Sequence, residues 1–359
     1  MFEVLASVFP DAARFCLWNE SEGRFTGVGE TALARTPLRA SKAAALPFMP
    51  LAWRNLPAVN ADWVLCSSHL FAHHATFRGL SRTVPKLAYV HTPARYIWAP
   101  ELDGRGRSVF ARAVSSVLKP VDRARAQELS AIAANSRFVA ERIRESWGRD
   151  SEVIYPPVDV GDFAGDTPSD LSPEDESLLR GLPSDYLLGA SRFVPYKRLD
   201  LAIRAGLASG VPVVLAGEGS DETRLRALAS DHGSLVTFVP RPTFALLREL
   251  YRRARALVFA PIEDFGIMPV EAMATGTPVI ANSIGGAAET VLHGRTGALV
   301  TDWTESELRA AVDLISTLDR NACATRAWDF DRAVFARRMT DWVVACTNAG
   351  APHETGVPQ

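Results

Sequence analysis

The sequence predicts an α/β protein of two doubly wound domains that face each other across a crevice. The chain has 359 residues, more than a single hydrophobic core usually organises. Its second half alternates short apolar segments with helical segments, as chains of βαβ units do. A proline-rich, acidic segment near the middle separates the two halves. In such folds, ligands bind at the carboxyl ends of the parallel strands.

The composition narrows the class of protein. Hydrophobic residues make up 47% and charged residues 22% of the chain, which is typical of a soluble globular protein. The formal net charge of −2 gives no reason to expect a nucleic-acid partner. No apolar run is long enough to span a bilayer, and no leader-like segment opens the sequence. The four cysteines (Cys16, Cys66, Cys323 and Cys346) are widely spaced, so we expect a cytoplasmic, reduced and metal-free protein.

Residues 1–160 are expected to form the first domain. Residues 1–9 predict an amphipathic helix, and strands are predicted at residues 14–18, 63–66, 87–91 and 132–135. A doubly wound domain normally begins with a strand that leads into its first helix. We therefore expect either a different start to this domain or a first strand that is missing from this chain, which would leave a sheet edge exposed.

Residues 155–177 predict the linker, because they are rich in proline and acidic residues and poor in large apolar ones. The second domain is expected over residues 161–330, followed by a last helix at about residues 331–350. Its predicted strands are residues 186–190, 211–216, 235–239, 256–260, 277–281 and 298–300. Its predicted helices are residues 199–208, 222–230, 244–254 and 270–274.

The most informative segment is residues 260–282, APIEDFGIMPVEAMATGTPVIAN. Glu263 and Glu271 are separated by seven residues, among them Phe265, Gly266 and Ile267. The pattern predicts a strand that ends at residue 261, a glycine turn, and a helix that begins near residue 268 with Glu271 in its first turn. Free backbone N–H groups and a positive helix end would then lie beside two carboxylates, a layout suited to an anion and a polyol. The alternative is an ordinary strand–loop–helix with solvated acids.

Basic residues follow the first strand of the second domain, in SRFVPYKR at residues 191–198. Arg192 and Lys197 would lie at the crevice, where a guanidinium binds two phosphate oxygens at once and an ammonium neutralises charge. Two solvated basic residues on a loop are the alternative. Gly217 in AGEG would allow close backbone approach to a ligand, and Arg241 in PRP lies on another crevice loop, although simple turns explain both segments equally well.

In the first half, YVHTPARYIW at residues 89–98 ends a predicted strand with His91 and an aromatic cluster. His91 could donate to a sugar hydroxyl or offer its backbone carbonyl to a developing positive charge. A structural histidine is the alternative, as packing is for Tyr96 and Trp98.

Two further groups of residues have simpler interpretations. The histidines at 69, 73 and 74 resemble a metal cluster, but no carboxylate or cysteine stands at ligand spacing, so no metal is predicted. A basic run could dock on anionic headgroups, but it is more typical of a solvated helix face. The run consists of Arg105, Arg107, Arg112, Lys119, Arg123 and Arg125.

With these motifs together, nearly the whole chain resembles the retaining family 4 glycosyltransferases of the GT-B fold. The HTP-aromatic stretch is most similar to members that are mannosyltransferases using GDP-mannose. The resemblance implies that Arg192 and Lys197 bind the donor diphosphate, that Glu263 holds sugar hydroxyls and that Glu271 holds the ribose. It also implies backbone contacts from residues 265–267, His91 against the donor sugar, and a last helix that returns to the first domain.

The activity implied by the resemblance is transfer of a hexose, with mannose favoured, and with retention of configuration. The donor would be a nucleotide-diphosphate sugar, with GDP-mannose favoured and a UDP-sugar as the alternative. The acceptor would be a hydroxyl of a glycan, a lipid-linked molecule or a small molecule, in the cytoplasm or at the inner face of the membrane. No cofactor or metal is implied, because Arg192 and Lys197 supply the positive charge. Glu263 is expected to position the sugar and not to act as a nucleophile.

One departure and two rival functions accompany this prediction. Family members normally begin with a strand and a glycine-rich loop, whereas Met1 stands inside the expected following helix. A misassigned start codon is the favoured explanation. The rivals are a nucleotide-sugar 2-epimerase on the same scaffold and a non-catalytic protein that binds nucleotide sugars.

Overall fold

The computed structural model describes residues 1–21, 23–98, 109–165, 171–230 and 235–348. The chain is an α/β protein whose paired strands are all parallel in the described residues, which confirms the predicted fold class. It divides into two compact units. The first contains Met1–Tyr155 and the C-terminal segment from Phe335, and the second is Pro156–Val334.

The strands of the described residues are, in chain order, β1 (Arg14–Cys16), β2 (Val28–Glu30), β3 (Val64–Ser68), β4 (Lys86–Val90), β5 (Ala131–Ala134), β6 (Glu152–Val153), β7 (Leu187–Ala190), β8 (Val213–Ala216), β9 (Val236–Val239), β10 (Ala256–Phe259), β11 (Val279–Asn282) and β12 (Gly297–Val300).

The α-helices are α1 (Phe2–Val8), α2 (Lys42–Ala45), α3 (Met49–Trp53), α4 (Arg95–Trp98), α5 (Val109–Ala126), α6 (Arg137–Trp147), α7 (Val160–Ala164), α8 (Pro173–Gly181), α9 (Asp200–Ser209), α10 (Glu222–Ser230), α11 (Phe244–Arg253), α12 (Ile267–Ala274), α13 (Ala287–Thr290), α14 (Glu305–Ile315), α15 (Arg320–Ala327) and α16 (Arg332–Asn348).

The second unit is built on a six-stranded parallel sheet in the order β12-β11-β10-β7-β8-β9. Every residue of β7, β8 and β10 is buried, as expected for strands covered by helices on both faces. Side chains of α9 and α14 pack with these strands in one hydrophobic core. All six predicted strands are present, with their ends shifted by at most two residues. The pattern of short apolar runs separated by helical segments was therefore sufficient to predict the strands of this unit.

The first unit contains a four-stranded parallel sheet in the order β3-β4-β5-β6. Strands β3, β4 and β5 were predicted, and β6 was not, because it has only two residues. Within the described residues, β3 pairs with β4 alone, so one of its edges is open. Beside this edge, α1, β1 and β3 line a cavity of about 1090 Å³.

The predicted strand at residues 14–18 is present as β1, but it lies outside the four-stranded sheet. It pairs in parallel with β2, a strand that the sequence analysis missed, and the two form a separate sheet. Their residues are only partly buried or exposed. A central strand needs apolar side chains on both faces, and neither β1 nor β2 provides them.

The predicted linker is more ordered than its composition suggested. Helix α7 lies within residues 155–177, and α8 begins there. Phe163 of α7 is buried and its ring lies 5.1 Å from Phe244 and 6.1 Å from Tyr251. Residues 166–170 of the predicted linker lie outside the described residues.

The last predicted helix is present as α16. From Phe335 onward it belongs to the first unit, where Phe335, Met339 and Trp342 pack with Leu87 and Tyr89 of β4. Burial of such side chains stabilises a fold by about 1.5–3 kcal/mol each. Among the helices described here, none combines the length and the hydrophobicity that crossing a membrane requires.

Candidate functional site

The carboxyl ends of the strands in the second unit carry most of the predicted binding residues. From β7 the chain moves to β8 and β9 on one side, and β10 to β12 lie on the other. The order therefore reverses between β7 and β10. Loops that leave two such neighbouring strands diverge to opposite faces of the sheet, and ligands bind in the opening between them. Lys197 follows β7 and Glu263 follows β10.

Lys197 and Glu263 form an ion pair between the Lys197 ammonium and the Glu263 carboxylate. The two side chains are 12% and 22% exposed, respectively. Water screens charges less in such a partly buried place than at the surface, so the two groups attract each other more strongly there. The structure thus brings together one predicted cation and one predicted carboxylate that are 66 residues apart in the chain.

The loop that carries Lys197 is fixed by backbone contacts. Phe193 is 1% exposed, and its backbone N–H donates to the carbonyl of Glu218 at 2.7 Å. Gly217 has φ +137°, and a Cβ there would lie 1.9 Å from the carbonyl oxygen of Ser191. The close approach that glycine permits at this position is therefore made to the neighbouring loop.

Two other predicted cations lie farther out. Arg192 is exposed, and its Nη2 donates to the hydroxyl of Tyr196 at 3.4 Å. Arg241 is also exposed and pairs with Glu218, with 2.5 Å between Nε and Oε2. Both guanidinium groups are accessible to a ligand from solvent, and neither belongs to the Lys197–Glu263 pair.

The backbone of Glu263 is contacted by a pair of glycines, Gly285 and Gly286, that were not among the predicted site residues. The N–H of Gly286 donates to the carbonyl of Glu263 at 2.8 Å. A Cβ at Gly286 would lie 2.3 Å from the Cα of Phe265, and one at Gly285 would lie 2.9 Å from the Glu263 carbonyl oxygen. Only glycine lets the loop after β11 approach this backbone so closely. The signal was the GG dipeptide at residues 285–286, shortly after the strand predicted at residues 277–281.

The predicted glycine turn and helix follow Glu263. Gly266, at φ +85°, is the N-cap of α12 and offers no side-chain cap. Phe265 is buried, with its ring 5.6 Å from that of Phe330, whereas Ile267 is 47% exposed. The helix begins at residue 267, slightly earlier than predicted, which places Glu271 in its second turn instead of its first. The uncapped N–H groups of its first turn remain available to an anion.

Glu271 has a different environment from Glu263. Its Oε2 accepts a hydrogen bond from the hydroxyl of Tyr251 at 3.2 Å. Burial raises the pKa of Glu271 above its usual value, and the Tyr251 hydrogen bond opposes this rise. Tyr251 itself is fully buried and is held within α11. The two glutamates are thus distinguished by their partners, a lysine for Glu263 and a tyrosine hydroxyl for Glu271.

His91 belongs to the first unit and directly follows β4, as predicted. Its Nε2 lies 2.9 Å from the Ser67 hydroxyl, and its backbone N–H donates to the Ser68 carbonyl at 2.9 Å. Burial, and then the electrostatic effect of the neighbouring His69, lower the pKa of His91 from 6.5 to about 4. His91 is therefore a neutral imidazole at physiological pH, able to donate or accept one hydrogen bond.

We expect the low pKa of His91 to appear in the pH dependence of stability. A histidine whose folded pKa is below its unfolded pKa adds stability above the unfolded value, and this stability is lost as the pH falls toward the folded value. For His91 the window runs from 6.5 down to about 4. Urea unfolding at several pH values should show a smaller loss across this window in His91→Asn than in the wild type. A His91 imidazole that titrates by NMR at or above pH 6.5 would contradict the assignment.

Two of the three histidines that follow β3 lie beside a carboxylate that the sequence did not predict. His69 is exposed, whereas His73 and His74 are buried and meet the carboxylate of Asp122 from α5. The absence of a carboxylate at ligand spacing was therefore a misleading criterion, because the fold supplies one from 48 residues away. The spacing of residues along the sequence does not reveal a ligand that lies this far away in the chain.

The described members of the basic run are engaged within the first unit. Lys119 and Arg123 each lie 5.4 Å from the ring of Trp98, and Arg125 pairs with Glu128. Trp98 packs and donates to Asp122, so the structure gives it a packing role. Arg105 and Arg107, and the side chains of Tyr96 and Arg112, lie outside the described residues.

Two family descriptions match the chain, one in each half. Residues 13–162 match "Glycosyltransferase Family 4", and residues 174–327 match "Glycosyl transferases group 1". A curated relative, the D-inositol 3-phosphate glycosyltransferase of Mycobacteroides abscessus, is 36% identical over an alignment of 174 residues that covers 43% of this chain and 38% of the relative. The chain spans 38% to 55% of the length of the first curated relatives it matches.

Solved structures show the same fold. Sucrose-phosphate synthase from Thermosynechococcus elongatus aligns with a TM-score of 0.61 at 19% identity, over 90% of this chain and 84% of that one. The Anabaena protein HepE, solved in complex with UDP, aligns with a TM-score of 0.55 at 25% identity, over 73% of this chain and 72% of that one.

Proposed function

We propose that the chain is a family 4 glycosyltransferase with the GT-B fold, and that it transfers a hexose from a nucleotide-diphosphate sugar to an acceptor hydroxyl. One observation carries the proposal: the partly buried Lys197–Glu263 pair at the reversal point of the second sheet, next to the uncapped N-terminus of α12. A diphosphate requires cations and N–H donors, and a hexose requires hydrogen-bond acceptors. This site offers both.

In this proposal the ion pair is the donor-free state of the site. The diphosphate takes over the Lys197 ammonium, and hexose hydroxyls take over the Glu263 carboxylate. Because each charge is already held in place, little ordering is required when the donor binds. Arg192 is exposed and free to add a second, bidentate contact to the phosphates.

The charges also suit the chemical step. As the bond between the anomeric carbon and the diphosphate oxygen breaks, negative charge grows on the diphosphate, and Lys197, Arg192 and the N-terminus of α12 stabilise it. Glu263 positions the sugar through its hydroxyls, and His91 is also proposed to contact the donor sugar. We propose that the acceptor hydroxyl attacks the face the diphosphate leaves, which retains configuration. The departing diphosphate takes the acceptor's proton.

The sequence and the relatives narrow the set of candidate donors and acceptors. The HTP-aromatic stretch favours mannose, and hence GDP-mannose, whereas HepE binds UDP. The curated relatives are D-inositol 3-phosphate glycosyltransferases, so a phosphorylated polyol joins glycans, lipid-linked molecules and other small molecules as a candidate acceptor. Glu271 is proposed to bind the ribose, which all these donors share.

The experiment that tests the proposal is a donor panel. GDP, UDP and ADP and their common hexose derivatives are screened by thermal shift, and donors that bind are then incubated with acceptor mixtures that include inositol phosphates. We expect one nucleotide series to stabilise the protein and one of its sugars to be transferred with its anomeric configuration kept. Binding without turnover on any acceptor would instead support a non-catalytic protein. A 2-epimer formed without acceptor would support an epimerase.

We also expect transfer to be independent of Mg²⁺ and Mn²⁺, because Lys197 and Arg192 provide the charge that these ions supply elsewhere. Initial rates measured with EDTA, and with either ion added, should agree within about twofold. Strict dependence on either ion would contradict this part of the proposal.

A further inference from the structure

His73, His74 and Asp122 form a buried cluster in the first unit that the proposed transfer does not use. The two histidines are in the turn Ala72–His74 that follows β3, and Asp122 is in α5. Their exposed fractions are 2%, 0% and 0%, respectively. One ligand atom from each residue lies within 4.8 Å of the others.

The spacing of these atoms fits a shared ion. Nε2 of His74 is 3.0 Å and Nε2 of His73 is 3.2 Å from the same oxygen, Oδ1 of Asp122. Zinc binds imidazole nitrogen and carboxylate oxygen at about 2.0–2.2 Å, so neighbouring ligand atoms of a tetrahedral ion lie about 3.3 Å apart. The observed spacing is close to that value.

The orientation of His73 supports the same conclusion. Although its Nε2 is 3.2 Å from the Asp122 oxygen, it has no hydrogen-bond partner among the residues that the structure describes. The nitrogen is thus near the oxygen without being aligned on it. Ligands that converge on a third atom show this geometry. A buried nitrogen without a partner is otherwise costly.

The described groups around the cluster contact atoms other than Oδ1 of Asp122 and the two Nε2 atoms. The Ser68 hydroxyl lies 3.0 Å from Nδ1 of His73, on the far side of the ring. The indole N–H groups of Trp98 and Trp147 both donate to Oδ2 of Asp122 at 2.7 Å, which fixes the carboxylate and leaves Oδ1 facing the histidines. Outer partners of this kind orient the ligands of metal sites.

The charge of the cluster also favours a bound cation. A fully dehydrated carboxylate is expensive unless a positive charge compensates it. Among the described residues, the groups hydrogen-bonded to Asp122 are the His74 imidazole and the indoles of Trp98 and Trp147. The His73 imidazole lies 3.2 Å from the same carboxylate, and none of these groups carries a permanent positive charge. A divalent cation between the imidazoles and the carboxylate would provide the compensation.

We propose that His73, His74 and Asp122 bind a divalent transition-metal ion of the zinc class, with a structural role. Imidazole and carboxylate ligands suit zinc, and the three side chains supply three of the four ligands of a tetrahedral site. The ion joins the end of β3 to α5 and, through Trp147, to α6. Because the ligands are buried, the ion enters as the unit folds. It is separate from the proposed transfer.

The test compares metal content after refolding. The chain, without any affinity tag, is unfolded with chelator and refolded with or without Zn²⁺, and bound metal is measured by mass spectrometry after desalting. We expect about one ion per wild-type chain, and at least about tenfold less in His74→Gln and Asp122→Asn. His293→Gln serves as the matched control, since His293 is exposed and outside the cluster, and it should bind as the wild type does.

A second measurement keeps the proposal testable if the variants fail to fold. Wild type refolded with Co²⁺ should gain the visible absorption bands of a tetrahedral cobalt site and a higher unfolding midpoint than the metal-free chain. Wild type that refolds equally well without metal, retains no more Zn²⁺ than the variants and shows no cobalt bands would overturn the proposal. The cluster would then be a carboxylate held by hydrogen bonds alone.

Discussion

Lys197→Ala should reduce kcat/KM for the donor by about 100- to 1000-fold, which is the usual effect of removing one group that stabilises a developing anion. The Lys197 ammonium lies at the reversal point of the second sheet and is already paired with Glu263. Removing it takes away the charge that faces the diphosphate and leaves the Glu263 carboxylate without its partner. Both effects weaken binding of the donor, and the first also slows the chemical step. Steady-state kinetics with the donor that the panel identifies would measure both.

The matched control is Arg204→Ala, which removes the same charge from an exposed position in α9. It should leave kcat/KM within about twofold of the wild type, since a surface charge distant from the reacting groups contributes little. Circular dichroism and thermal unfolding should show both variants folded. Equal kinetics for Lys197→Ala and the wild type would remove the main support for the proposed function.

The sequence predicted most of the second unit because its signals are local. Each central strand is a short run of apolar residues, and burial on both faces requires such a run. The glycine turn at Gly266 and the helix after it were recognised for the same reason. Lys197 and Glu263 were both chosen, since the ends of parallel strands fall at one edge of a sheet. Their direct pairing was not foreseen, because it depends on two side-chain conformations.

The features that the sequence did not reveal depend on contacts between distant segments. Asp122 reaches His73 and His74 only after α5 folds over the end of β3, and no spacing rule covers that distance. Tyr251 is a core residue by pattern, yet its hydroxyl serves Glu271. Strand β2 and its pairing with β1 were also missed, because both strands are short and only partly buried and carry no apolar pattern. In each case a partner in another segment of the chain decides the role.

Glu271→Gln should weaken donor binding while leaving the fold intact or more stable. The variant keeps the size of the side chain and an oxygen that can accept from Tyr251, but it loses the charge proposed to hold the ribose. A hydrogen bond to a charged group contributes about 1.5–3 kcal/mol, so KM for the donor should rise about 10- to 100-fold, with kcat changed much less. Glu305→Gln, on an exposed side chain of α14, is the control and should match the wild type.

The raised pKa of Glu271 allows a role in donor binding to be distinguished from a purely structural role. Burial raises it above 4.5, so the carboxylate should protonate, and wild-type donor affinity should fall, at a higher pH than for an ordinary carboxyl group. Stability has the opposite dependence: a carboxyl group whose pKa is raised by folding favours the folded state at low pH, and this contribution is lost as the pH rises through the folded pKa. Near neutral pH the Gln variant should therefore unfold at the same temperature as the wild type or a higher one. Over the acid pH range in which wild-type Glu271 becomes protonated, the donor affinity of the Gln variant should not change. A variant that is both less stable and unchanged in donor affinity would show that Glu271 supports the core and does not bind the donor.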